Sequence, residues 1–144
     1  MTAHDPDGED LGMTATSLVS ISLSPPLVLI SLRNGSRMQE LLARIGTWAV
    51  SLLGEEHRAL AACFATSGRL SDRALFADMQ FRRGHWSRAP LVDHALSIIE
   101  CRTENQMVAG DHTIVIGQVL EARVSEGTAP PPLLYLRGEY RTLP

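Results

Sequence analysis

A mainly β protein, a barrel or a sandwich, is what this sequence predicts. Six or so segments read as strands, and only two segments, both short, carry helical periodicity. Proline and glycine punctuate them where a β chain must turn, at Pro25-Pro26 and at Ala109-Gly110. The chain of 144 residues and 15.7 kDa is the size of one domain. With 44% hydrophobic and 20% charged residues its composition is that of a globular protein rather than a disordered or fibrous one.

The elements follow in order. Residues 1–12 carry Asp5, Pro6, Asp7 and Gly8, which is turn chemistry. Residues 17–23 (SLVSISL) alternate as a strand does. Val19, Ile21 and Leu23 fall on one side, giving one fully apolar face. Pro25 and Pro26 block ladder bonding and force a corner. Residues 27–32 (LVLISL) are almost continuously apolar, as in a strand covered on both faces. Ser36 and Gln39 have the spacing of a capping box that opens a helix. Leu41, Leu42 and Ile45 supply its stripe, and Gly46 its stop.

Residues 47–53 (TWAVSLL) read as a strand with Trp48 in the core. Glu55 and Glu56 then suit the positive end of a second helix, with Leu60, Ala61, Phe64 and Ala65 as its buried stripe and Gly68 as its end. Residues 66–90, rich in arginine, read as a surface loop with a short strand near 79–83. Residues 95–102, 113–124 and 132–136 read as further strands, the first two as a hairpin. Residues 126–132 read as a loop. Cys63 and Cys101 sit in apolar contexts and read as buried, inert thiols.

Several function classes lack their marker. The net charge of -3 gives no electrostatic case for nucleic acid. No run of about 18 apolar residues exists for a membrane helix. The acidic start MTAHDPDGED is not a secretory signal, and two cysteines far apart suit a reducing cytoplasm. The five histidines form no metal-binding spacing, and no GxSxG, P-loop or GxGxxG motif occurs. An enzyme with this sequence is therefore expected to leave the hard chemistry to a bound cofactor.

Five stretches taken together carry a resemblance: residues 12–32 (GMTATSLVSISLSPPLVLISL), NGS at 34–36, CFA at 63–65, AGDHTIVIGQV at 109–119 and LLYLRGEYRTL at 133–143. They resemble, in order and over nearly the whole chain, the flavin reductase domain with the FMN-binding split β-barrel fold. That domain is the reductase component of two-component flavin monooxygenases. The resemblance implies a split β-barrel with two or three short helices, spanning 1–144. It also implies that the family's first helix and most of its first strand are missing, Met1, Thr2 and Ala3 being that strand's last fragment. Thr16 stands where the family tends to have Asn or Ser, and Ser24 where it has an acidic residue.

The implied activity is hydride transfer from NADH or NADPH to FMN, with FAD as the alternative flavin. Reduced flavin would then serve a partner monooxygenase, and the chain would be a cytoplasmic homodimer. The resemblance assigns Thr14, Thr16 and Ser17 to the flavin ring and ribityl chain. It assigns Ser31 and Leu32 to a ring-facing stretch, Asn34, Ser36 and Arg37 to the phosphate, and Arg73 to a basic position in a mobile loop. His112, in the GDH segment, is assigned to the nicotinamide, and Tyr135, Arg137 and Tyr140 to the site or the dimer interface. Each has a plainer reading beside it: Ser36 as a helix cap, Arg73 as a solvated side chain, His112 as the first residue of a strand. Two other functions stay open on the residues alone. One is a non-catalytic flavin- or haem-binding split-barrel protein; the other is a chain acting only as a dimer partner.

Overall fold

A computed structural model of the chain describes residues 1–69, 71–126 and 130–143. The elements run β1 (Thr2–Ala3), β2 (Leu11–Gly12), β3 (Val19–Leu23), β4 (Pro26–Arg33), α1 (Arg37–Leu42) and β5 (Thr47–Leu52). A 3₁₀ turn (Glu55–His57) leads into α2 (Arg58–Ala65), followed by α3 (Arg73–Asp78), β6 (Phe81–Arg83) and β7 (Pro90–Val92). The chain closes with β8 (Ser97–Ala109), β9 (His112–Val124), β10 (Leu134–Leu136) and β11 (Glu139–Arg141). Seven strands form one antiparallel sheet in the order β2-β1-β5-β8-β9-β4-β3, and β6-β7 and β10-β11 are separate ribbons. The fold is mainly β, as the sequence predicts.

The long β8–β9 hairpin is the spine. Its two-residue turn, Gly110-Asp111, places Gly110 at φ +64°, a conformation glycine adopts without steric cost. Register shifts between Glu100 and Cys101 and between Thr103 and Asn105 bend it. That bend lets β8 pair with β5 near one end while β9 pairs with β4 near the other. Strand β5 serves two cores at once. Trp48 and Val50 point into the main one with Ile30, Leu32 and Val115, while Ala49 points into the other with Leu91 and Ile98. Trp48 is fully buried and its Nε1 donates to Thr103 Oγ1 at 3.1 Å. A methyl group on Gly117 would lie 2.4 Å from Trp48 Cζ2, so the glycine makes room for the ring.

Several local expectations differ from the structure. The 66–90 segment is not all loop: it contains α3 as well as β6, and β7 starts at its last residue, Pro90. Only Phe76 of α3 is buried, and one buried side chain in a six-residue helix leaves no periodic signal. The apolar face of β3 is not covered within the chain, since Val19, Ile21 and Leu23 are all exposed on the edge of the sheet. In β4 only Val28, Ile30 and Leu32 are buried, with half-covered Leu27, Leu29 and Ser31 between them, so it is a one-sided strand. Cys63 is exposed because it lies on α2 away from Ala61 and Phe64; Cys101 is buried as expected. The capping box also closes differently. Ser36 Oγ accepts from Gln39 N at 3.3 Å, but Gln39 Oε1 accepts from Gly35 N rather than from Ser36 N. The helix then ends at Ala43, ahead of Gly46. The loop expected over 126–132 lies partly outside the described residues.

Candidate functional site

Three adjoining cavities meet at Thr14, which lines all of them. The first, about 370 Å³, is mostly apolar, with Met13, Leu18, Ile30, Leu60, Phe64 and Leu133 in its wall. A second, about 430 Å³, opens between Thr14, Thr16, Thr66, Tyr135 and Tyr140. The third, about 540 Å³, has the most polar lining of the three and brings together Arg33, Asn34, Ser36, Arg37, Arg69 and Asp72. Segment 13–16, between β2 and β3, is thus the divide between an apolar chamber and a guanidinium-rich one. A flat aromatic ligand with an anionic tail fits such a pair of chambers, because apolar walls take the ring and a few placed polar groups fix its edge and tail.

The local chemistry of that segment is specific. Thr14 Oγ1 donates to the Ala61 carbonyl at 2.7 Å, tying the segment to α2. Ser17 Oγ both accepts from Ser31 N at 3.1 Å and donates to Ser31 O at 3.2 Å. A serine hydroxyl therefore replaces a backbone rung where β3 has not yet begun. Thr16 is exposed and stands at the mouth between the first two cavities.

The polar chamber is crossed by an ion-pair network. Arg37 Nη2 donates to Glu9 Oε1 at 2.7 Å, and its Nη1 donates to Asp72 Oδ1 at 3.2 Å. Arg69 Nε donates to the same Asp72 oxygen at 2.9 Å. Asn34 joins the chamber to the β8–β9 turn: its amide donates to Gly110 O at 3.1 Å, and its Oδ1 accepts from Thr113 Oγ1 at 2.7 Å. The next position along β9 toward the turn is His112, which pairs in register with Arg33 of the chamber wall. His112 Nδ1 lies 2.8 Å from Asp111 Oδ1, and this contact holds the Asp111 carboxyl below its usual range.

The structure therefore brings Thr14, Thr16, Asn34, Ser36, Arg37, Tyr135 and Tyr140 to one site, with the two tyrosine rings 5.2 Å apart over it. Ser17 and Ser31 brace it from behind, and His112 stands beside its polar end. Three of the expected residues fall elsewhere. Leu32 is fully buried in the main core, Arg73 is exposed on the first turn of α3, and Arg137 is exposed in the β10–β11 turn at φ +54°. Arg69 and Asp72 are what sequence reasoning missed. They lie in the segment read as loop, and their partners are up to 60 positions away.

A family model described as "Flavin reductase like domain" matches residues 1–144. The chain is 37% identical over 142 residues to the NADH:riboflavin 5'-phosphate oxidoreductase of Streptomyces pristinaespiralis, covering 99% of this chain and 78% of that protein. Among solved structures it is similar to the NADH:FAD oxidoreductase SgcE6 of Streptomyces globisporus C-1027. The TM-score is 0.90 at 34% identity, over 99% of this chain and 82% of the other. It is also similar to BorF, the flavin reductase component of a bacterial two-component tryptophan halogenase. There the TM-score is 0.88 at 32% identity, over 99% and 87% of the two chains.

Proposed function

The chain belongs to the flavin reductase-like domain family, and on that premise we propose how its site divides the work. Its activity is that of an NADH-dependent flavin reductase on the split-barrel fold, with FMN or FAD as the flavin. A bound flavin supplies the hydride-accepting chemistry, which no side chain of the protein needs to perform. Reduced flavin then serves a partner enzyme, as the reductase component of a two-component oxygenase or halogenase does.

The residues present fit a flavin. In this reading the apolar chamber and segment 13–16 receive the ring, with Thr14 and Thr16 at its polar edge. Asn34, Ser36 and Arg37 receive the phosphate, with Arg33 and Arg69 adding positive charge around it. Arg37 is already oriented by Asp72 and Glu9, so it loses little freedom on meeting an anion. Tyr135 and Tyr140 wall the open side and limit water there. Ser17, Ser31 and Leu32 act through the backbone and core behind the site, and Arg73 approaches only as a long-range charge.

His112 is the nicotinamide contact in this account. With the proton on Nδ1, which donates a hydrogen bond to Asp111 Oδ1, Nε2 is left as an acceptor for a carboxamide N–H. A homodimer is part of the proposal: exposed Val19, Ile21 and Leu23 on an edge strand form an apolar strip suited to a second copy. Among the described residues no helix is long and apolar enough to cross a membrane. The unpaired cysteines suit the reducing cytoplasm as working compartment.

The observation that carries the reading is the meeting of an apolar and a guanidinium-lined chamber at Thr14. Titration of FMN fluorescence tests it. The reading expects saturable quenching with a dissociation constant of micromolar or tighter, about -8 kcal/mol. Absence of quenching or anisotropy change at saturating protein refutes it.

A further inference from the structure

Asp72 has the environment of a buried hub. It is 1% exposed, and both its oxygens are committed. Oδ2 accepts from Gly12 N at 2.9 Å, and Oδ1 accepts from Arg69 Nε and Arg37 Nη1. Arg69 completes the grip from the other side. Its Nη2 donates to Gly12 O at 3.0 Å, while its Nη1 donates to Cys63 O and Thr66 O at the end of α2. Both backbone groups of one residue, Gly12, are therefore held by the two ends of one ion pair. Gly12 cannot be replaced without cost, since a Cβ there would lie 2.3 Å from the Phe64 ring.

The next residues, Met13 to Thr16, separate the chambers, and the other wall is α2, through Ala61 and Phe64. Asp72 and Arg69 thus lock the dividing segment to the helix that faces it. The contact is charge-assisted and its carboxylate is buried, so its loss leaves buried groups unpaired. Neither residue needs to touch the ring to act on it.

We propose that Asp72, together with Arg69, is a positioning residue for the flavin: it fixes segment 13–16 against α2, so that the ring chamber has its shape before the ligand enters. This rests on the flavin-site reading above and deepens it. Riboflavin is the right probe, because it carries the ring and ribityl chain without the phosphate. Removing a carboxylate beside the arginines also makes the polar chamber more positive, which by itself would favour FMN and mask the effect.

The experiment measures riboflavin affinity by fluorescence quenching for the unaltered protein, Asp72→Asn and Arg69→Gln. Each is held well below its own melting midpoint, read by circular dichroism. Both variants are expected to bind riboflavin about tenfold more weakly while folded, as loss of one net hydrogen-bonded constraint implies. A hub that only stabilised the fold would lower the midpoint and leave the affinity of folded protein within twofold; that result overturns the proposal. If Asp72→Asn does not fold, Arg69→Gln decides by the same criterion. An unaltered protein that binds no riboflavin refutes the flavin site itself, and the clamp with it. Normal binding by the unaltered protein and by both variants refutes the clamp alone.

Discussion

Replacing His112 by alanine separates nicotinamide positioning from flavin binding. The side chain is 44% exposed, and Asp111, its one side-chain hydrogen-bond partner among the described residues, is 88% exposed at the hairpin tip. Screened pairs of this kind contribute little to stability, so the melting midpoint should stay within about 2 °C. The flavin chambers are built from other elements, and the flavin dissociation constant should stay within about twofold. What the variant loses is the Nε2 acceptor that meets the donor. One or two hydrogen-bond equivalents in the transition state amount to about 1.4–2.8 kcal/mol, or a 10–100-fold fall in kcat/KM for NADH. Hydride transfer needs the reacting atoms about 3–3.5 Å apart, so a loosened nicotinamide is costly in rate. The assay is anaerobic stopped-flow bleaching of bound flavin at varied NADH, with flavin affinity measured on the same preparation. Parallel loss of flavin affinity and rate, or loss of neither, would refute the assignment.

Three further outcomes follow from named contacts. Glu9→Gln keeps an acceptor that can orient Arg37 Nη2 but removes the negative charge of an ion pair worth about 0.2–1 kcal/mol. FMN should then bind about two- to fivefold more tightly and riboflavin equally well; paired titrations check both. Native protein treated with iodoacetamide should be labelled at exposed Cys63 alone, because burial and the Glu100 charge push the Cys101 thiol up to about 12; mass spectrometry of the digest reads this. Glu100 is fully buried, which drives its carboxyl upward, but donation from Ser87 Oγ and from the Ser87, His85 and Trp86 N–H groups outweighs burial and holds it below its usual range. A group lowered on folding stabilises fully above its unfolded value, about 4.3, and loses that contribution as pH falls through the folded one. The acid limb of a melting-midpoint profile should therefore flatten in Glu100→Gln, which at neutral pH is less stable by about 1–3 kcal/mol.

What the sequence made legible was what local pattern encodes. The β8–β9 hairpin shows as runs over 95–102 and 113–124 with turn chemistry at Ala109-Gly110; the structure carries the first strand on to Ala109 and makes the turn at Gly110-Asp111. Trp48 reads as core from its strand and is fully buried. Ser36 reads as a cap and is one, although its glutamine partner turns to Gly35 instead. Contacts made across the chain were not legible. Asp72 reaches Gly12 and Arg37 over 60 and 35 positions, and neither distance leaves a trace in periodicity. The β3 strip shows a limit of another kind. Alternation predicted an apolar face at Val19, Ile21 and Leu23, but alternation does not say whether the cover comes from the same chain. Thr14, Thr16, Asn34, Ser36 and Arg37 came from the resemblance, and the structure gathers them around adjoining chambers. Leu32 and Arg73 came from it too and lie in the core and on the surface.

The most direct measurement of the central claim is anaerobic mixing of purified protein with FMN and NADH, following flavin absorbance near 450 nm and NADH at 340 nm together. The account predicts bleaching of one flavin per NADH consumed, at a rate that rises with protein and far exceeds the protein-free mixture. It also predicts a shared loss of that rate when Arg37 and Thr14 are both replaced by alanine in a protein that still folds. Bound flavin that stays oxidised in excess NADH would contradict it.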